Sequence, residues 1–157
     1  MASESFVGDM GFPGLLRAAR KAYANAVRDA FVDAGFDDIP RNGAYVLART
    51  YDNSSPLPNL IRELGISKQA VSQLIDTMVM RGYLKRSEDS EDRRRMLITL
   101  TPRGAAAARV SWEAATQVDA ELEGRLTTDG VQALRAGLIV LAEMGLGPAP
   151  ATEEPAG

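Results

Sequence analysis

The stretch from Ser67 to Thr101, SKQAVSQLIDTMVMRGYLKRSEDSEDRRRMLITLT, constrains the fold of this chain more than any other part. Its first half predicts a helix with a defined start and stop. Ser67 is an N-cap residue whose hydroxyl can accept a bond from an orphan amide of the first turn. Val71, Leu74, Ile75 and Met78 recur at i, i+3, i+4 and i+7, one apolar face of a helix. Gly82 can take the left-handed conformation that ends it. The opposite face carries Ser67, Lys68, Gln69, Ser72, Gln73 and Asp76. These are short donors and acceptors, the groups a helix needs to read base edges in a DNA major groove.

The second half predicts a hairpin. Tyr83 to Arg86 alternates apolar and polar as a half-buried strand does, and Arg94 to Thr101, with Met96, Leu97, Ile98 and Leu100, makes a return strand. The tip between them is entirely polar and ends in Arg93-Arg94-Arg95. Upstream, a short helix over Leu57 to Leu64 and the turn Gly65-Ile66 lead into Ser67, which is the helix-turn-helix pattern. Helix, turn, helix and basic-tipped hairpin together predict a winged helix-turn-helix. Its second helix is expected in the major groove and its wing on backbone or minor groove.

From Leu74 to Gly104, including MVMRGYLKR, SEDSEDRR, LITLT and PRG, the chain closely resembles the MarR family of transcriptional regulators. The resemblance rests on Asp92 two residues before Arg94, the apolar strand that follows, and Thr101-x-x-Gly104. With flanking helices of the expected lengths it covers roughly Gly14 to Met144. It implies a mainly α fold with a small β-wing, a winged helix-turn-helix core flanked by N- and C-terminal dimerisation helices. It also implies a cytoplasmic homodimer on a palindromic operator, usually a repressor, released by a small aromatic or phenolic effector. Asp92 is then expected to hold Arg94 and stabilise the wing, leaving another tip arginine for the minor groove; which one stays open. Many family members carry arginine where Gln73 stands, and glutamine favours adenine, so the operator stays open too.

Composition narrows the alternatives. The chain has no cysteine and no histidine, which excludes disulfides, thiol redox sensing, thiolate or imidazole metal sites and a histidine general base. No Gly-rich phosphate loop and no G-x-S-x-G motif occur, so no enzyme is expected and no cofactor is called for. No apolar run is long enough for a membrane span, and the N-terminus reads as no signal peptide. The net charge of −3 hides an uneven distribution. Arg41 to Arg109 holds 12 Lys/Arg against 7 Asp/Glu, while the rest holds 6 against 14. A basic centre inside acidic flanks is the footprint of a nucleic-acid binder.

In chain order, residues 1–13 are expected to be a flexible arm. Residues 14–38 and 102–144 form the helical dimerisation region, 39–101 the DNA-binding region and 145–157 a disordered tail. The first helix is expected from Gly14 to about Ala34, ended by Gly35. Pro40 is expected to open a second helix to about Thr50, with Ala44, Leu47 and Ala48 inward. Thr101-Pro102 starts a long helix to about Glu123, and Thr127 caps a last one to about Met144.

Each functional reading has a plainer rival. On the last helix Val131, Leu134, Leu138 and Leu141 show 3-4-3 spacing, a pairing seam that with Leu16 would serve a dimer or else face the chain's own core. Arg93, Arg94 and Arg95 are DNA contacts or a solvated turn. Gln69, Ser72 and Gln73 read bases or are ordinary exposed polars. Lys85 and Arg86 are expected on phosphates, and Asp76 is expected to orient Lys68 or Arg81. The candidate effector-binding residues, on the resemblance, are Arg17, Arg20, Tyr23, Phe31, Tyr45 and Trp112. Aromatics at helical spacing are equally core residues. A winged module that binds protein partners without an operator is the rival to the regulator as a whole.

Overall fold

A computed structural model describes residues 6–52, 57–88 and 96–147. The chain divides into two units, residues 1–120 and 121–157. The elements, in order, are α1 (Phe12–Asp33), α2 (Gly43–Asp52), α3 (Leu57–Leu64), α4 (Lys68–Met80), β1 (Leu84–Glu88), β2 (Met96–Leu100), α5 (Pro102–Arg125) and α6 (Thr128–Leu146). The two strands pair antiparallel with Leu84 opposite Leu100 and Arg86 opposite Ile98. This is the expected mainly helical fold with a two-stranded wing. The wing tip, with Asp92, Arg93, Arg94 and Arg95, lies outside the described residues.

The helix at Ser67 forms as its sequence dictates. Ser67 Oγ accepts from the Ala70 amide at 3.1 Å, and Val71, Leu74, Ile75 and Met78 are buried. They join Leu47, Leu60, Tyr83, Ile98 and Ala107 in a core shared by α2, α3, α5 and the wing base. α3 packs on α4, α4 on β1 and α2 on β2, so the wing is part of the core. Gly65 and Gly82, at φ of 63° and 76°, make the two turns that bracket α4.

The Thr101-x-x-Gly104 spacing has a physical cause. Thr101 donates its amide to the Tyr83 carbonyl at 3.0 Å and its hydroxyl to the Gly82 carbonyl at 2.5 Å, and accepts from the Gly104 amide at 3.0 Å. One residue thus caps α5 and ties it to the strand base. A Cβ at Gly104 would lie 1.9 Å from the Tyr83 oxygen, so no larger residue permits this approach.

Several boundaries differ from expectation. α1 begins at Phe12 and residues 6–8 form a helical turn, inside the segment read as an arm. Pro40 opens a turn, not a helix. Its carbonyl accepts from Gly43, Asn42 sits at φ 67°, and α2 starts at Gly43. On α2 Leu47 is buried and Ala44 packs half-buried against the core as expected, Val46 and Thr50 are buried as well, and Ala48 is exposed. Tyr83 lies before β1 and is wholly buried, while Arg86 is joined in the strand by Ser87 and Glu88. α6 continues through Gly145 and Leu146, expected in the tail, and stops at Gly147, which takes φ 66°.

The Gly104 contact sets a test of this packing. Gly104→Ala forces overpacking against a backbone carbonyl and is expected to cost about 1–3 kcal/mol. Gly124→Ala, on the same helix with open space around it, is expected to stabilise by about 0.5–1 kcal/mol. Urea denaturation of the two variants checks the opposite signs.

Candidate nucleic-acid interface and effector crevice

Burial of Val71, Leu74, Ile75 and Met78 fixes which side of α4 faces out. Lys68, Gln69, Gln73 and Asp76 are exposed and Ser72 is half-buried. The Ser67 hydroxyl is engaged as the cap, so one of its two lone pairs is occupied while its proton stays available. Among the described residues no hydrogen bond or ion pair holds the side chains of Lys68, Gln69 or Gln73. Lys85 and Arg86 are exposed on β1.

Asp76 does not orient Lys68 or Arg81. It pairs with Arg86, binding the outer face of α4 to the wing strand. Arg81 instead donates to the Asp38 carbonyl. Both partners lie where sequence spacing could not place them, because the first pairing crosses the hairpin base and the second returns to the α1–α2 segment.

Asp38 is the centre of a cluster that sequence reading missed. Its carboxylate accepts from the Tyr83 hydroxyl and from Arg103 Nη2 at 3.0 Å. Arg103 Nη2 also donates to the Tyr83 hydroxyl oxygen at 3.0 Å, and its guanidinium stands 4.7 Å from the Tyr83 ring centroid. Phe36 packs edge-on against both Tyr83 and Phe31. The Tyr83 hydrogen bond, followed by Arg103, holds the Asp38 carboxyl below its ordinary value, while burial and Asp38 raise the Tyr83 phenol. The cluster joins the α1–α2 segment, the wing base and the start of α5. Arg103 within the Pro-Arg-Gly run was its only sequence signal.

Arg17, Arg20, Tyr23, Phe31, Tyr45 and Trp112 all line one crevice of about 860 Å³. Its walls are α1, the α1–α2 segment, α2 and the middle of α5. Phe31 is buried and belongs to the core, as its plainer reading held, while its neighbourhood still borders the crevice. Tyr23 donates to Asp119 at 2.5 Å and Tyr45 to Glu63 at 2.9 Å. The Asp119 bond raises the Tyr23 phenol to about 12; burial, then the Glu63 bond, raises Tyr45 to about 12. Both hydroxyls therefore stay protonated donors at neutral pH. Glu63 also takes two parallel bonds of 2.8 Å from Arg49, which fastens α2 to α3.

The dimer candidates are uncovered. α6 has no buried residue; Leu134, Leu138 and Leu141 are exposed and Val131 is half-buried. Leu16 on α1 is 40% exposed. Among the described residues no group of acids could hold a metal ion and no helix is long and apolar enough to cross a membrane.

Residues 38–95 match the model of the MarR family. No curated protein sequence matches the chain significantly. Solved structures share the fold. They include S. aureus MepR in a DNA complex, 16% identical over 87% of this chain and 99% of that one (TM-score 0.70). CouR from Rhodococcus jostii RHA1 bound to p-coumaroyl-CoA is 19% identical over 87% and 94% (TM-score 0.68). Bordetella bronchiseptica BpsR, whose DNA binding is regulated by 6-hydroxynicotinic acid, is 22% identical over 85% and 94% (TM-score 0.62).

The Asp38 cluster yields a pH test. The folded value of this carboxyl lies below the ordinary 3.8, so its stabilisation is in force above about pH 4 and is lost as pH falls through the folded value. Asp38→Asn is expected to unfold at a lower temperature than wild type near pH 7, with the gap closing as pH falls below the ordinary 3.8. Thermal unfolding across that range checks it, and a pH-independent gap would remove charge from the explanation.

Proposed function

Membership of the MarR family, carried by residues 38–95, is the premise from which we propose that this chain is a homodimeric, sequence-specific regulator of transcription binding double-stranded DNA. The observation that carries the proposal is the outer face of α4, where Lys68, Gln69 and Gln73 stand exposed without partners among the described residues. A helix docks in the major groove through such a face, and Gln69 and Gln73 are suited to adenine N6 and N7. Lys68 and Lys85 lie against phosphates, with Ser67 and Ser72 supplying further hydroxyl contacts. Arg86 is held by Asp76 in a fixed geometry, so it meets the backbone with less rotamer entropy lost than a free arginine.

The wing tip carries the second contact. Arg93, Arg94 and Arg95 suit a narrow minor groove, because guanidinium is permanently charged and weakly hydrated. Asp92 supports one of them as a wing-stabilising acid. This part of the proposal rests on the sequence. MepR, whose fold this chain shares, has been solved as a DNA complex, which supports the reading.

A second copy covers α6 and Leu16. A helix rich in leucine with no buried residue exposes an apolar surface that a stable monomer does not carry. Two-fold pairing places two α4 helices about one DNA turn apart, on the order of 34 Å, and matches a palindromic operator. The regulator acts as a repressor, in the cytoplasm, and a small aromatic or phenolic effector in the crevice releases it. CouR, solved with p-coumaroyl-CoA bound, and BpsR, whose DNA binding is regulated by 6-hydroxynicotinic acid, share this fold and support a small-molecule effector. Release requires that the effector prefer a dimer geometry with another helix spacing.

Selection of bound DNA from a random pool tests the whole reading, with a palindrome of half-sites about one turn apart expected. On that operator, Gln73→Ala is expected to lose about 1–3 kcal/mol of discrimination at one base pair per half-site. The triple change of Arg93, Arg94 and Arg95 to Ala is expected to flatten the log–log dependence of affinity on salt without unfolding the protein. A wild-type affinity indifferent to salt would favour a protein-binding module instead. Leu138→Glu places a charge in the seam and is expected to sediment as a monomer with operator binding lost; an intact dimer would reject the seam.

A further inference from the structure

Asp38 turns away from the crevice that its neighbours form. Phe36, Asp37, Ile39, Pro40, Arg41 and Asn42 line that crevice, whereas the Asp38 carboxylate accepts from the Tyr83 hydroxyl and from Arg103 Nη2. The Asp38 carbonyl accepts from Arg81. The three donors stand at three junctions of the chain. Arg81 is the C-cap of α4, Tyr83 comes directly before β1, and Arg103 is the second residue of α5. One residue of the crevice wall therefore holds the end of the reading helix, the root of the wing and the helix that follows it.

The grip is a closed network. Arg103 Nη2 also donates to the Tyr83 hydroxyl oxygen, which makes Asp38, Tyr83 and Arg103 a triangle of mutual hydrogen bonds. The Tyr83 ring is wholly buried, so its hydroxyl is fixed in place. Phe36 lines the crevice and packs edge-on against that ring, 6.2 Å between centroids, and the Arg103 guanidinium stands 5.8 Å from the Phe36 centroid. The wall itself has little backbone bonding of its own. Among the described residues no amide from Asp37 to Asn42 donates to a backbone carbonyl. Only the flanking amides are held, Phe36 to the Phe31 carbonyl and Gly43 to the Pro40 carbonyl, both at 2.8 Å. A segment built this way takes its position from the side chains that grip it.

Resting on the regulator reading above, we propose that Asp38 is a positioning residue for DNA contact: through Arg81, Tyr83 and Arg103 it couples the crevice wall at residues 36–42 to the placing of α4 and the wing. Operator binding then favours the closed triangle. By reciprocity, whatever opens the wall weakens operator binding by the same factor.

The test uses the full chain and the duplex selected from a random pool, with no effector. Hydrogen exchange at the Phe36 and Gly43 amides, followed by NMR with and without the duplex, reports opening of the wall. In wild type the duplex is expected to slow both amides at least about fivefold, the lower range of coupling between sites. Tyr83→Phe keeps the buried ring and removes only the hydroxyl, while Asp38→Ala removes the carboxylate and keeps the carbonyl that Arg81 uses. Each is expected to weaken duplex binding about threefold to tenfold and to abolish the slowing. The double variant is expected to bind no more weakly than the poorer single one, since both changes remove one interaction. A lowered stability alone would leave the slowing in place, so slowing retained in either variant would overturn the coupling. Additive losses in the double variant would make the two groups independent and overturn it too. Wild-type affinity in both single variants would overturn the positioning role and leave the regulator reading intact. A wild-type chain that selects no duplex would overturn that reading, and the positioning role with it.

Discussion

The approach of α5 to the Tyr83 carbonyl is the constraint from which the rest of the winged region follows. The two ends of the hairpin meet there: Thr101 bonds backward to Gly82 and Tyr83, and Gly104 leaves room for the carbonyl. The helix start, the strand base and the end of α4 are thereby fixed by one set of hydrogen bonds. Tyr83 then has nowhere to go but the core, and its hydroxyl emerges beside Asp38 and Arg103. A wing anchored only by its own ladder would be a two-stranded hairpin, which is marginal in water. Anchored to three helices, it presents its outer strand at a fixed angle to α4, and the Asp76–Arg86 pair reinforces that angle.

What the sequence disclosed divides by the range of the interaction. Caps, turns and apolar periods are local, and those at Ser67, Gly82, Thr101 and Thr127 form as the residues predict. The start of α2 was misread because Pro40 is compatible with a first helical turn and with a simple turn; the left-handed Asn42 decides for the latter. Within α2 the expected Leu47 is buried, with Val46 beside it, and Ala48 is exposed. The Asp38 cluster was invisible for another reason. Its members come from segments up to 65 positions apart, and neither an aspartate in a loop nor an arginine after a proline announces a partner. The six crevice residues were found by resemblance and elements, whereas the concentration of cations beside them emerges only when α1 is seen to face α2 and α5.

The charge distribution acquires a location in the fold. The basic central block divides between the α4 and β1 surface, where Lys68, Lys85 and Arg86 are exposed, and residues such as Arg81 and Arg103 that are committed to Asp38. Part of the excess that reads as a nucleic-acid footprint therefore holds the wing rather than touching a partner. A second accumulation, on α1, lies within what counted as an acidic flank. Regional net charge located one basic surface correctly in principle and concealed the other, because Arg17, Arg20 and Lys21 are outweighed by acids that lie elsewhere along the chain.

The crevice is linked to α4 and to the wing through the elements that wall it. Tyr45 faces the crevice, and its hydroxyl bonds Glu63 of α3, the helix that packs on α4. Phe36, Asp37 and Ile39 also line the crevice, and the residue among them, Asp38, grips Tyr83 and Arg103 by its carboxylate and Arg81 by its carbonyl. A ligand that displaces either wall must disturb a hydrogen bond on the opposite side, one tied to the helix-turn-helix and the other to the wing. Neither tether is strong alone. The Asp38–Arg103 pair is well exposed to solvent, where ion pairs contribute at most about 1 kcal/mol. Ties of that size are comparable to or smaller than the coupling of about 1–3 kcal/mol that joins two sites in ordinary allosteric proteins.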